Sequence, residues 1–306
     1  MAAPTQPTPP SQAGTEPVRA ATLQGFAAIA LWSSLAALTT LVGAIPPFQL
    51  AAITFAIATA AGLVLARLRG QDFAALRAVP AGAWLLGVYG LLTYHVCYFL
   101  ALATAPALEA NLINYLWPLL IVVLSAALPA AAGGRRLGIK SIVGAALGFA
   151  ATALLLGSAA GRAGREGGLG IGHAAALAAA IVWATYSVGS RLYAAVPSLA
   201  VTGSCAATAL CAGLLHLAFE PTVWPAGPVA WAAVLAMGLG PVGIAFTLWD
   251  RAMKHGNMRL IGVASYATPL LSTLLLTLTG KTEATPALWL AACLVSAGAL
   301  LAARDT

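Results

Sequence analysis

Charge is scarce in this chain: of 306 residues only 15 are Lys or Arg and 8 are Asp or Glu, while 61% are hydrophobic. A soluble fold with a mean hydropathy of +0.92 would have to cover its surface in apolar patches. The scarcity excludes a water-soluble domain and places the chain in a bilayer. Cysteine is scarce too, and Cys97, Cys205, Cys211 and Cys293 all fall inside apolar runs, where they read as small packing residues. Neither a disulfide nor a metal site is expected from them. Residues 1–20 lack both a basic start and an apolar run, which argues against a signal peptide and for a disordered tail. The HExxH and GxSxG patterns and any pair of intramembrane Asp are also missing, and His95 and Cys97, two apart, face different ways on a helix. Catalysis in the membrane needs a nucleophile, base and orienting group, or a metal cluster. No enzyme and no cofactor is therefore predicted.

What the chain does have is apolar runs of the length that spans a bilayer, about 20 residues each. Ten occur, near 22–43, 48–68, 81–103, 107–128, 138–158, 170–191, 198–219, 228–250, 258–280 and 285–303. Backbone groups facing lipid must be satisfied within their own segment, so the fold class is all-α integral membrane with ten transmembrane helices. A single offset of 151 residues superposes Trp32 on Trp183, Pro46 on Pro197, Gly62 on Gly213, Gly87 on Gly238, Tyr115 on Tyr266, and the run from Pro118 on that from Pro269. Such an offset means two fused copies of one unit, 21–158 and 170–306, joined by a linker at 159–169. Five spans is an odd number, so the second copy crosses the membrane in the opposite sense. Inverted repeats hold a substrate near the bilayer midplane and expose it to each side in turn.

Orientation follows from the basic residues. With a cytoplasmic N-terminus, the inside segments hold Arg19, Arg67, Arg69, Arg77, Arg135, Arg136, Lys140, Arg191, Arg251, Lys254, Arg259 and Arg304, leaving only Arg162, Arg165 and Lys281 outside. That bias puts both termini in the cytoplasm. The net charge of +7 is then a topology signal, and no nucleic-acid partner is needed to explain it.

Ten spans in an inverted duplication, with Trp32 and Trp183 in the first span of each half and Pro118 and Pro269 in the fourth, resemble the drug/metabolite transporter superfamily, EamA type, over about residues 22–303. Within it, GLLTYHVCYFLAL (90–102) followed by LEANLINYLWPLL (108–120) resembles the aromatic amino acid exporters of the YddG type. The resemblance implies a carrier of the bacterial inner membrane that exports neutral aromatic and other apolar amino acids, with 159–169 in the periplasm. Export of another neutral metabolite or drug is the alternative. One departure stands out: the acidic residue that such repeats often carry after the fourth span is Glu283 in the second half, whereas the first half has Gly133 to Arg136 there. That acidic residue is read as structural.

Depth in the membrane separates working residues from anchors. Trp84, Trp224, Trp231, Trp249 and Trp289 fall near span ends or in a loop, the usual interfacial position. Trp32, Trp117 and Trp183 fall mid-span, where an indole N–H needs a protein partner or a polar cavity. As repeat equivalents, Trp32 and Trp183 are also candidates for serving the fold. In the fourth span Asn111, Asn114, Tyr115 and Pro118 share one helix face, and in the ninth Gly262, Ser265, Tyr266 and Pro269 do the same. Tyr94, His95 and Tyr98 join them from the third span, and an ionisable group inside a membrane is a functional candidate by default. The predicted substrate-binding set is Tyr94, His95, Tyr98, Asn111, Asn114, Tyr115, Trp117, Trp183, Ser265 and Tyr266, with Ser265 also readable as helix glue. Pro118 and Pro269 are predicted hinges. No acidic residue is expected deep in a span, Glu109 and Asp250 being placed at span ends. Without such a carboxylate a proton-coupled exporter of cations is excluded, and a neutral or zwitterionic solute remains.

Overall fold

The computed structural model describes residues 15–134, 136–160, 170–280 and 285–304. Among them every regular element is helical. Among the described residues nine helices are long and apolar enough to cross a membrane: α1 (Pro17–Val42), α2 (Pro47–Leu68), α3 (Ala81–Thr104), α4 (Glu109–Ala127), α6 (Ile171–Tyr193), α7 (Leu199–Phe219), α8 (Gly227–His255), α9 (Met258–Leu278) and α10 (Pro286–Ala303). Between α4 and α6 lies α5 (Ile139–Ala160), apolar over Ile139–Leu154. Several starts follow from local chemistry. Pro47 and Pro286 sit in the first turn, where no N–H is required, and the Asn257 and Thr285 side chains accept the N–H groups of Leu260 and Leu288.

Two boundaries differ from the sequence-based expectation. Helix begins already at Thr15, so the last residues of the expected tail are helical, with Pro17 suited to the first turn. At the other discrepancy, α8 does not stop near residue 250 but continues to His255. Hydropathy ends there because Asp250 and Lys254 are charged, yet both are buried, and Lys254 Nζ donates to Asp250 Oδ2 at 2.8 Å one turn away. Mutual pairing lets the helix carry both charges into the core. The expected linker at 159–169 and Glu283 lie almost wholly or wholly outside the described residues.

Four irregularities come in two related pairs. A widened π turn occupies Tyr89–Thr93 in α3 and Gly238–Ile244 in α8. α4 is interrupted at Tyr115–Leu116, and α9 at Ser265–Tyr266, shortly before Pro118 and Pro269. A proline removes a backbone donor and crowds the preceding turn, so each helix yields at that point.

Packing exchanges the two halves of the chain. The four broadest helix contacts are α1 with α8, α5 with α10, α3 with α6 and α2 with α7. α5 and α10 touch backbone to backbone: a Cβ on Gly144 would stand 2.5 Å from the Gly298 carbonyl oxygen, and one on Gly298 2.6 Å from that of Gly144. Only glycine permits this approach. The main core lies where α1, α3, α4, α6 and α8 converge, around Trp117, Trp183, Phe246 and Trp249.

Candidate functional site

The convergence is lined by aromatic rings. Trp183 of α6 stands at the centre, with ring centroids 5.6 Å from Trp32, 5.2 Å from Tyr94, 6.4 Å from Trp117, 5.8 Å from Phe246 and 6.1 Å from Trp249. His95 extends the cluster, its ring 5.1 Å from Phe55 and 5.2 Å from Tyr94. Edge-to-face and tilted pairs of this kind contribute about 0.5–1.5 kcal/mol each beyond buried area.

One wall of the cluster is polar. Tyr98 Oη donates to Asn111 Oδ1 at 2.5 Å, and Asn111 Nδ2 donates to the Ala107 carbonyl at 2.7 Å, so α3 is tied to the first turn of α4. Asn114 Nδ2 donates to Tyr94 Oη at 3.2 Å, which repeats the tie one turn deeper. Asn114 Oδ1, by contrast, is buried with no partner among the described residues. His95 Nδ1 lies 2.6 Å from the Leu91 carbonyl, and because a carbonyl only accepts, Nδ1 carries the proton. Nε2 is then left as an acceptor. Tyr115 stands beside Asn114 at the interruption of α4. Neither Trp117 nor Trp183 donates its indole N–H to a described protein atom. The cluster thus offers unpaired acceptors and unpaired donors among flat apolar faces, the complement of a zwitterionic head on an aromatic or apolar side group.

Most of the sequence-predicted residues meet here: Tyr94, His95, Tyr98, Asn111, Asn114, Tyr115, Trp117 and Trp183. Ser265 and Tyr266 do not. Both are wholly buried; Ser265 Oγ donates to the Ile261 carbonyl at 2.8 Å, and the Tyr266 ring fills the space beside Gly148 and Phe149 in a second core. The helix face that carries them turns toward α5 and α10, where the side chains act as packing. Trp32, considered as a fold residue, has its Nε1 donating to the Pro241 carbonyl at 2.9 Å. That bond closes the widened turn of α8 onto α1.

Sequence reasoning missed three members of the cluster. Trp249, read as an interfacial anchor, is 1% exposed, and its Nε1 donates to Ser187 Oγ at 3.0 Å. It was misplaced because α8 outruns its apolar stretch. Phe246 and Phe55 were passed over as ordinary apolar residues. The signal for two of them lay in the 151-residue offset, which carries His95 onto Phe246 and Tyr98 onto Trp249. Asp250, placed at a span end by the sequence, lies near the His255 end of the longer α8 and is 4% exposed. It is paired with Lys254 at 2.8 Å.

The two ends of the bundle are closed differently. At the basic end Arg191 Nη1 and Nη2 donate to the carbonyls of Met253 and Gly256 at 2.9 and 3.0 Å, and Thr22 Oγ1 accepts the Asn257 N–H at 2.9 Å. At the far end the Glu220 carboxylate accepts the N–H groups of Phe48 and Gln49, while His173 Nε2 and Glu109 Oε2 pair at 2.6 Å.

The EamA-like transporter family profile matches this chain twice, over residues 20–157 and 170–304. Among curated proteins it is 49% identical over 282 residues to the aromatic amino acid exporter YddG of Ancylobacter novellus, covering 92% of this chain and 96% of that one. The proteins of the same name from Salmonella typhimurium and Escherichia coli are each 28% identical, again over 92% of this chain and 96% of theirs. A crystal structure of a protein 48% identical in sequence superposes with a TM-score of 0.87 over 94% of this chain and 97% of the other.

Proposed function

We propose, from the premise that the chain belongs to the EamA-like transporter family, that it exports neutral aromatic and other apolar amino acids across the bacterial inner membrane by alternating access. The observation that carries this reading is the cluster around Trp183, which holds the indoles of Trp117 and Trp183, an Asn114 Oδ1 with no partner among the described residues and the His95 ring, its Nδ1 bound to the Leu91 carbonyl. The acceptors suit an ammonium group, the donors suit a carboxylate, and the ring faces suit an aromatic side group. The 49%-identical relative is named as an exporter of aromatic amino acids, which supports the aromatic part of this reading.

Ten spans in two inverted sets of five fit the packing, because α5 meets α10 and α2 meets α7, each with its own counterpart, while α1 and α6 are exchanged onto α8 and α3. In this arrangement both termini are cytoplasmic, the linker 159–169 is periplasmic, and the interruptions before Pro118 and Pro269 are hinges. Tags on both termini reached only from the cytoplasm, with a cysteine at Ala163 labelled from outside, are the expected topology; outside labelling of either terminus overturns it.

The decisive experiment is uptake of radiolabelled phenylalanine into liposomes holding purified protein, with and without a pH gradient. Saturable counterflow is expected in both conditions. Absence of phenylalanine transport, with saturable flux of another neutral solute, would replace the proposed substrate. Flux that never saturates would replace the carrier with a channel.

A further inference from the structure

Between the aromatic cluster and the basic end lies a second, smaller space that the site above does not use. It is a cavity of about 30 Å³ lined by Leu86, Tyr186, Ser190, Tyr193, Ser204, Asp250 and Lys254 among others. Its two charged residues are held apart from water: Asp250 is 4% and Lys254 6% exposed. Asp250 Oδ2 accepts twice, from Lys254 Nζ at 2.8 Å and from Ser198 Oγ at 2.8 Å, whereas Oδ1 accepts from no described residue. Lys254 Nζ donates to Asp250 and to the Val196 carbonyl at 2.9 Å, which leaves its third hydrogen unused.

A buried ion pair is a poor way to stabilise a helix bundle, because desolvating two charges offsets most of their attraction. It is, however, well matched to a zwitterion. An α-amino acid brings an ammonium for the free Oδ1 of Asp250 and a carboxylate for the remaining hydrogen of Lys254, and it neutralises both without net charge. The geometry points to a loading site for the α-ammonium and α-carboxylate of the amino acid at Asp250 and Lys254, occupied before the solute reaches the aromatic cluster. This inference rests on the amino acid reading given above. Tyr186 links the two places, since it borders the cavity and its ring lies 5.4 Å from that of Trp183. A crevice of about 380 Å³ formed by Gly82, Leu85, Leu86, Tyr89, Leu192 and Tyr193 adjoins the cavity across Leu86 and Tyr193, and gives the side group somewhere to lie. In the present structure the cavity has room for little more than a water, and the two charges close on each other. Movement of Tyr193 away from Gly82 would join the two spaces.

The site recognises both ends of the zwitterion, so it rejects a solute that lacks either. Purified protein in liposomes, oriented so that one side can be assayed alone, is given labelled phenylalanine at the basic end together with unlabelled phenylalanine, phenethylamine or 3-phenylpropionate. Competition by phenylalanine is expected at a concentration about tenfold or more below that of either analogue. The paired variant Asp250→Asn/Lys254→Gln keeps side-chain hydrogen bonding without charge, and its melting temperature reports whether it has folded. With fold intact, KM from the basic end should rise about tenfold while KM from the far end stays within about twofold. Equal competition by all three compounds, or an unchanged KM in the folded variant, would assign the pair to structure and overturn the loading site. Failure of the wild-type protein to carry phenylalanine at all would instead remove the proposed function, and the two failures are distinct.

Discussion

Two walls of the aromatic cluster occupy equivalent helix positions and carry opposite chemistry. On α3 the positions are Tyr94, His95 and Tyr98; on α8, 151 residues later, they are Ala245, Phe246 and Trp249. The α3 side is half-buried and hydrogen-bonds α4 through Tyr94 and Tyr98, while Trp249 is 1% exposed with its one polar atom satisfied by Ser187. Duplication supplied the geometry, a pair of helices with matching widened turns meeting across the bundle. Divergence supplied the chemistry, one wall rich in polar groups and the other apolar. The α8 wall is therefore expected to report on stability and the α3 wall on transport.

The largest effect should come from the apolar wall. Trp249→Ala removes an enclosed indole and its hydrogen bond, with an expected destabilisation of about 3–5 kcal/mol in thermal or denaturant unfolding of the purified protein. A variant that unfolds like wild type and fails only in transport would break the division between the walls. Next, His95→Ala and Trp117→Ala should lower flux at limiting substrate about tenfold or more in the liposome assay, His95→Ala with unfolding close to wild type. Normal flux in both would remove the polar wall from the site. Tyr98→Phe deletes one hydroxyl that ties α3 to Asn111, a bond worth about 0.5–1.5 kcal/mol net, so KM should rise about two- to tenfold with little change in maximal rate. An equal fall in maximal rate would mean that the Tyr98–Asn111 tie acts in the moving step. Smallest of all, Trp289→Ala, whose ring is 62% exposed on α10, should shift stability by less than about 0.5 kcal/mol and leave flux unchanged.

Much of this was legible in the sequence. Spans were readable because hydropathy and helix length are set by the same membrane thickness, and Tyr94, His95, Asn114, Trp117 and Trp183 were readable because buried polar and indole groups in lipid demand a partner. Legibility failed where one residue's cost is met by another. Asp250 marked the end of a span only while Lys254 was considered separately, and with the end misplaced Trp249 became an anchor. Ser265 and Tyr266 failed for a different reason. Their stripe matches that of Asn114 and Tyr115 by the repeat, but which way a stripe faces depends on neighbours, and the open surface of Gly148 drew the Tyr266 ring toward α5.

The exchange of first helices between the halves, α1 onto α8 and α6 onto α3, has a consequence for how the chain is made. During synthesis the first half leaves the ribosome before α6 and α8 exist, so α1 and α3 wait in the membrane without their main neighbours. Tyr94 and Asn114 find each other early, being on adjacent spans, and can shelter their polar atoms from lipid in the interval. Trp32 cannot, since its acceptor at Pro241 is one of the later parts to arrive. Maturation is thus gated by the second half, and a chain split at the linker should assemble only when both pieces are inserted into the same membrane at the same time.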